Sequence, residues 1–194
     1  MTNGCFILTN GFLWNQLIVQ MMNWDFKYKL SLRVLDYYMK HNDGTSQVIH
    51  TQSVVSYTGL IAVGEKLDQH VVNLLEISAW MHDIGCPSSY ALYGNSLPVN
   101  QQTEGRIITE SWLNDTTELT QAEKKWLVDV VGSHHEFDSA KQLCFEPLFE
   151  ADLIVNLIEG YYPMEKAGHL YRTLIRTESG KKLFKTVLKD PVIL

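Results

Sequence analysis

Cysteine is scarce in this chain, and its three occurrences, Cys5, Cys86 and Cys144, are odd in number and far apart. No Cys-x-x-Cys spacing appears, which removes the usual zinc-thiolate and dithiol signatures and suits a reducing compartment such as the cytoplasm. Uninterrupted apolar stretches of about 20 residues, enough to span a bilayer, are missing too, so no transmembrane helix is expected. Basic residues are the minority: 16 Lys and Arg stand against 22 Asp and Glu, a formal net charge of −6. Broad nucleic-acid binding draws on a basic surface and is therefore not expected. Charge of either sign is absent from Met1 to Trp24, which also lacks the basic start of a secretory leader. Residues 1–21 read as an N-terminal extension that could lie on a membrane surface or join copies into a homo-oligomer.

What remains is ample material for one core. With 194 residues, 45% of them hydrophobic and 20% charged, residues 22–194 fit a single domain better than two. The persistent patterns are helical. Phe26, Leu30, Val34, Leu35, Tyr37 and Tyr38 recur at helical spacing before a turn at Asn42-Asp43-Gly44. A helix is predicted from Val48 to about Leu67, with His50, Val54, Tyr57 and Ile61 on one inward face. Asp68 suits the N-cap of the next helix, Val71 to Met81, which should end near Gly85. The turn formers between residues 86 and 100 predict a loop, followed by a helix over Gln101–Leu113. Thr120-Gln121-Ala122-Glu123 matches a capping box opening a helix that runs to His134-His135. A loop over Asp138–Cys144 then leads to Pro147 at the start of a helix on which Leu148, Asp152, Val155 and Glu159 share a face. The last segment reads as helix broken near Ser179-Gly180. Neither a repeat nor an alternating strand pattern is visible, so the fold class is all-α.

Chemistry concentrates in a few polar groups embedded in apolar sequence. His82 and Asp83 adjoin in Ala79-Trp80-Met81-His82-Asp83-Ile84-Gly85; His50 lies upstream, and His134-His135 and Asp152 lie downstream. Buried imidazole or carboxylate is costly unless paired, hydrogen-bonded or metal-bound. Singly, His50 or Asp152 is better explained as a hydrogen-bonded core residue. Together, His50, His82, Asp83, His134, His135 and Asp152 point to a buried metal site, whose nitrogen and oxygen ligands suit Mn, Fe, Zn, Ni, Co or Mg. His134 and His135 could instead end their helix, Glu136 could orient a neighbour or sit on the surface, and Gln101, Gln102 and Glu104 read as helix-start residues rather than ligands.

The ordered set His50, His82-Asp83 and Asp152, with Met-His-Asp-Ile-Gly and the later Gly-Ser-His-His-Glu, resembles the HD-domain metal-dependent phosphohydrolase superfamily over about residues 46–160. The resemblance implies a compact helical bundle whose separate helices supply His50, His82, Asp83 and Asp152 to one metal ion. It further implies hydrolysis of a small phosphoester such as a nucleotide or related metabolite. Asp83 would ligate and also orient or deprotonate the attacking water, while His134 or His135 would stabilise phosphate charge or assist the leaving group. Many two-metal members carry Lys after His-Asp-Ile-Gly and a further His before the next helix, where this chain has Cys86 and Gln101-Gln102. A full second-metal site is therefore not expected, although His134-His135 could hold a second ion with Asp83. The Gly-Tyr-Pro extension of the cyclic-dinucleotide hydrolases is replaced by Phe137-Asp138-Ser139. Two other readings stay open: a metal-stabilised regulatory protein that binds a phosphorylated ligand without turnover, and a di-iron oxygenase. The mouth of the site is expected from residues 86–100 and the segment after His135.

Overall fold

A computed structural model describes residues 11–41 and 44–188, with side chains from residue 25 onward. Asn42 and Asp43 of the expected turn, and residues 1–10 of the expected extension, lie outside the described residues. Among the described residues the chain is helical throughout and forms no strand, so the all-α fold class holds. The order is α1 (Gly11–Met39), α2 (Gly44–Gly64), α3 (Gln69–Met81), α4 (Cys86–Tyr93), α5 (Pro98–Leu113), α6 (Gln121–Val131), α7 (Phe137–Gln142), α8 (Glu146–Ile158), a 3-10 turn (Met164–Lys166), α9 (Ala167–Leu174) and α10 (Glu178–Leu188).

Helical periodicity explains how the bundle closes. Leu30, Val34 and Tyr38 of α1 lie one turn apart and are buried in a cluster with Ile77 and Met81 of α3 and Leu127 and Val131 of α6. The central pair is α2 and α8, which share a second cluster containing Val54, Ile61, Leu148, Ile154 and Phe184. Burial of each such aliphatic side chain contributes about 1.5–3 kcal/mol. Asp68 caps α3 by accepting the His70 N–H at 2.8 Å, and the Thr120–Glu123 capping box opens α6, both as the sequence predicts. These rigid elements position two turns: residues 82–85 between α3 and α4, and residues 132–136 between α6 and α7.

Three expectations are corrected. The predicted loop over 86–100 contains α4, because Pro87 occupies the first helical turn, where a missing N–H costs nothing, and Gly94 ends the helix in a left-handed conformation (φ 70°). The predicted loop over Asp138–Cys144 contains the short α7. The C-terminal break falls at Ile175–Thr177 rather than at Ser179-Gly180, since Gly180 lies inside α10. The cause is Glu150, buried on α8, which accepts the N–H groups of Arg176 and Thr177 and the Thr177 hydroxyl; a Cβ at Gly180 would overlap that carboxylate.

Candidate metal centre

Local folding carries the polar groups to one place. His50 projects from the buried face of α2, one turn before Val54. His82 and Asp83 emerge where α3 ends, His134 and His135 where α6 ends, and Asp152 from the most completely buried helix, α8. All are buried except His135, which is half-buried.

The convergence is tight. His50 Nε2 lies 3.2 Å from His82 Nε2 and 3.3 Å from Asp152 Oδ1, and His82 Nε2 lies 3.7 Å from the same oxygen. Asp83 Oδ2 is 3.5 Å from both imidazole nitrogens. These four groups, the ones the sequence singles out as ligands, thus face a common point. The other oxygens of the two acids face a second pair: Asp83 Oδ1 lies 3.4 Å from His134 Nε2, and Asp152 Oδ2 lies 3.8 Å from His135 Nδ1. Two groups could therefore hold a metal ion, His50 with His82 and Asp152, and Asp83 with His134 and His135.

Hydrogen bonds behind the site determine which atoms look inward. His82 Nδ1 donates to Ala79 O at 2.7 Å, His134 Nδ1 to Val131 O at 2.8 Å, and His50 Nδ1 to the Glu159 carboxylate at 2.8 Å. Each therefore presents Nε2 toward the centre, an arrangement typical of metal-ligating histidines. Amide donors steady the acids: Gln47 Nε2 donates to Asp83 Oδ2 and Asn156 Nδ2 to Asp152 Oδ1, both at 2.9 Å.

The centre is lined by imidazole nitrogens and carboxylate oxygens. Asp83 Oδ1 and His134 Nε2 are buried without a hydrogen-bond partner among the described residues, a condition that is costly unless a cation or proton intervenes. Electrostatics agrees. Burial alone would lower the His50 pKa, yet Asp152, Asp83 and Glu159 raise it to about 10, so this cluster draws in positive charge. Burial would raise Asp83 and Asp152, but the surrounding imidazoles hold both carboxyls below their ordinary range. Burial lowers His82 despite the acids, whereas His134 is raised, chiefly by Asp83, against its own burial. His135 is lowered to about 4 by burial and by His134 beside it. An acceptor-rich nest of imidazole nitrogen and carboxylate oxygen without thiolate fits a borderline or hard divalent ion.

A cleft of about 520 Å³ opens onto this cluster. Its wall includes Ser96, Pro98 and Glu136 from the two regions expected to form the mouth, together with Tyr161 and Tyr162 beyond α8. Sequence reading missed those tyrosines, and also Gln47, Asn156 and Glu159. Of these only Glu159, the residue that ends α8, carried a signal, its helical spacing from Asp152. Gln101 and Gln102 do stand near the start of α5, but they also grip His135. Comparison with protein families, with curated proteins and with solved structures matches none of them.

Proposed function

We propose that this protein is a divalent-metal-dependent phosphohydrolase of the HD type, acting on a small phosphoester such as a nucleotide or related metabolite. The observation that carries the reading is the mutual approach of His50, His82 and Asp152, with Asp83 Oδ2 3.5 Å from both imidazoles, Nε2 atoms and carboxylate oxygens being turned inward. A cleft of about 520 Å³ supports a small-molecule substrate over a polymer. A bound divalent ion would be held by those four groups and would supply a Lewis acid for the phosphoryl oxygen and a lower pKa for water. Asp83 Oδ1, buried without a hydrogen-bond partner among the described residues, would take a proton from the attacking water and return it to the departing ester oxygen as the P–O bond breaks. His134 and His135, facing the other oxygens of the two acids, would stabilise charge developing on the phosphoryl group.

The test is phosphate release from a nucleotide panel by apoprotein reloaded with Mn, Fe, Zn, Ni, Co or Mg. Chelation should abolish turnover, and His82→Ala and Asp83→Ala should each lower it at least about 100-fold while remaining folded. Equal turnover by the wild type and both folded variants would refute the assignment. Thermal stabilisation by a phosphoester without phosphate release would favour the non-hydrolytic alternative.

A further inference from the structure

His135 differs from the other histidines of the cluster in which nitrogen is already committed. His50, His82 and His134 each spend Nδ1 on an outer acceptor and turn Nε2 inward. His135 instead bonds through Nε2 to the Gln101 side-chain nitrogen and turns Nδ1 toward Asp152 Oδ2, 3.8 Å away. The direction of the Gln101 bond follows from its other end. The Cys86 thiol donates to Gln101 Oε1, so the amide oxygen is occupied and the amide N–H₂ faces the imidazole. An amide nitrogen can only donate, which makes His135 Nε2 the acceptor and leaves the ring proton on Nδ1. The backbone is held as well: with its amide oxygen toward the turn, Gln102 accepts the His135 N–H at 3.3 Å and donates to Pro98 O at 3.1 Å. Both glutamines and Cys86 are buried, so water does not compete freely for these bonds.

We propose that Gln101, oriented by the Cys86 thiol, locks His135 as a neutral Nδ1–H donor and so withholds it from the metal shell. The centre then takes one divalent ion, and His135 is a hydrogen-bond donor to the substrate. Neither ring nitrogen offers a free lone pair in this state: Nε2 receives the Gln101 N–H and Nδ1 carries hydrogen. The group Asp83, His134 and His135, close enough in space to hold a second ion, is thereby short of one ligand. His135 lines the cleft, within reach of a phosphoester seated over the acids. Gln101 and Cys86 act through His135 and are positioning residues.

The inference rests on the metal reading, and two measurements separate their fates. Long-range ¹H–¹⁵N correlation spectra of the metal-free protein report the tautomer directly; His135 should be Nδ1–H in the wild type and in Cys86→Ser, whose hydroxyl still donates. In Gln101→Ala this preference should be lost, with folding checked by the other histidine signals. Calorimetric titration of apoprotein with Zn²⁺ and with Mn²⁺ should give one equivalent for the wild type and two for Gln101→Ala. An Nε2–H tautomer in the wild type, or two comparable equivalents bound by it, would overturn the inference. Absence of any metal binding by the folded wild type would instead overturn the metal reading, while the tautomer result would still judge the role of Gln101.

Discussion

At the scale of single residues, the site depends on one glycine as much as on its acids. Gly85 follows His82-Asp83-Ile84 and lies where the start of α4 crosses α5; a Cβ there would overlap the Gln101 carbonyl oxygen and the Gly105 nitrogen. Its backbone is ordinary (φ −80°, ψ −15°), so the requirement is steric rather than conformational. Gly85→Ala must push α4 from α5 and should destabilise by about 3 kcal/mol, the upper part of the usual overpacking range. The midpoint of urea unfolding measures this, and a loss below roughly 0.5 kcal/mol would show that the helices separate freely there. Glu159 matters in a different way, since its carboxylate holds the His50 ring in the orientation that sends Nε2 inward.

Among the elements, α6 shows how a capped helix start is tied to a neighbouring helix. Thr120 accepts the Glu123 N–H, and the Glu123 carboxylate accepts the Thr120 N–H at 2.6 Å and the Thr120 hydroxyl at 2.7 Å. His70 at the start of α3 bonds the same acid at 2.5 Å and ties the two helices together. Burial would raise the Glu123 pKa, but the Thr120 bonds and then His70 hold it below its ordinary value. The sign is therefore that of a depressed carboxyl: its stabilising contribution is present above the ordinary value of 4.5 and disappears as pH falls through the lower native value. Thr120→Ala should cost about 1 kcal/mol at neutral pH. The stability difference between the wild type and Glu123→Gln should shrink as acid unfolding curves are taken below pH 4.5, and a difference independent of pH would contradict the role given to the charge.

For the molecule as a whole, the candidate ligands join α2, the α3–α4 turn and α8, segments that have no common location in an unfolded chain. A cation bound there favours the native state by mass action. At about 100 times its dissociation constant the ion should add about 2.7 kcal/mol, which for a chain of this size raises Tm by roughly 5–10 °C. Melting curves with chelator and with added Zn²⁺ or Mn²⁺ check this, with His50→Ala expected to remove most of the shift. An unchanged Tm in the wild type would argue against a site spanning these elements. No helix among the described residues is long and apolar enough to cross a membrane.

Much of this was legible from residue order alone, for a physical reason. Helices are local: periodic burial of Leu30, Val34 and Tyr38, the Asp68 cap and the Thr120–Glu123 box each involve residues within a few positions of one another. Imidazoles and carboxylates embedded in apolar segments must find a partner, which makes His50, His82, Asp83, His134, His135 and Asp152 legible as candidates for a shared polar site. Pro87 misled because the same residue that breaks a helix inside tolerates its first turn. The contacts that shape the chemistry arise between distant segments: Gln47 on Asp83, Glu159 on His50, and Cys86 through Gln101 onto His135. Amides carry no periodic signature and are unremarkable on a helix surface. Which nitrogen of His135 carries its proton is decided by what packs against it, and only the folded arrangement of α4, α5 and the α6–α7 turn brings that partner into place.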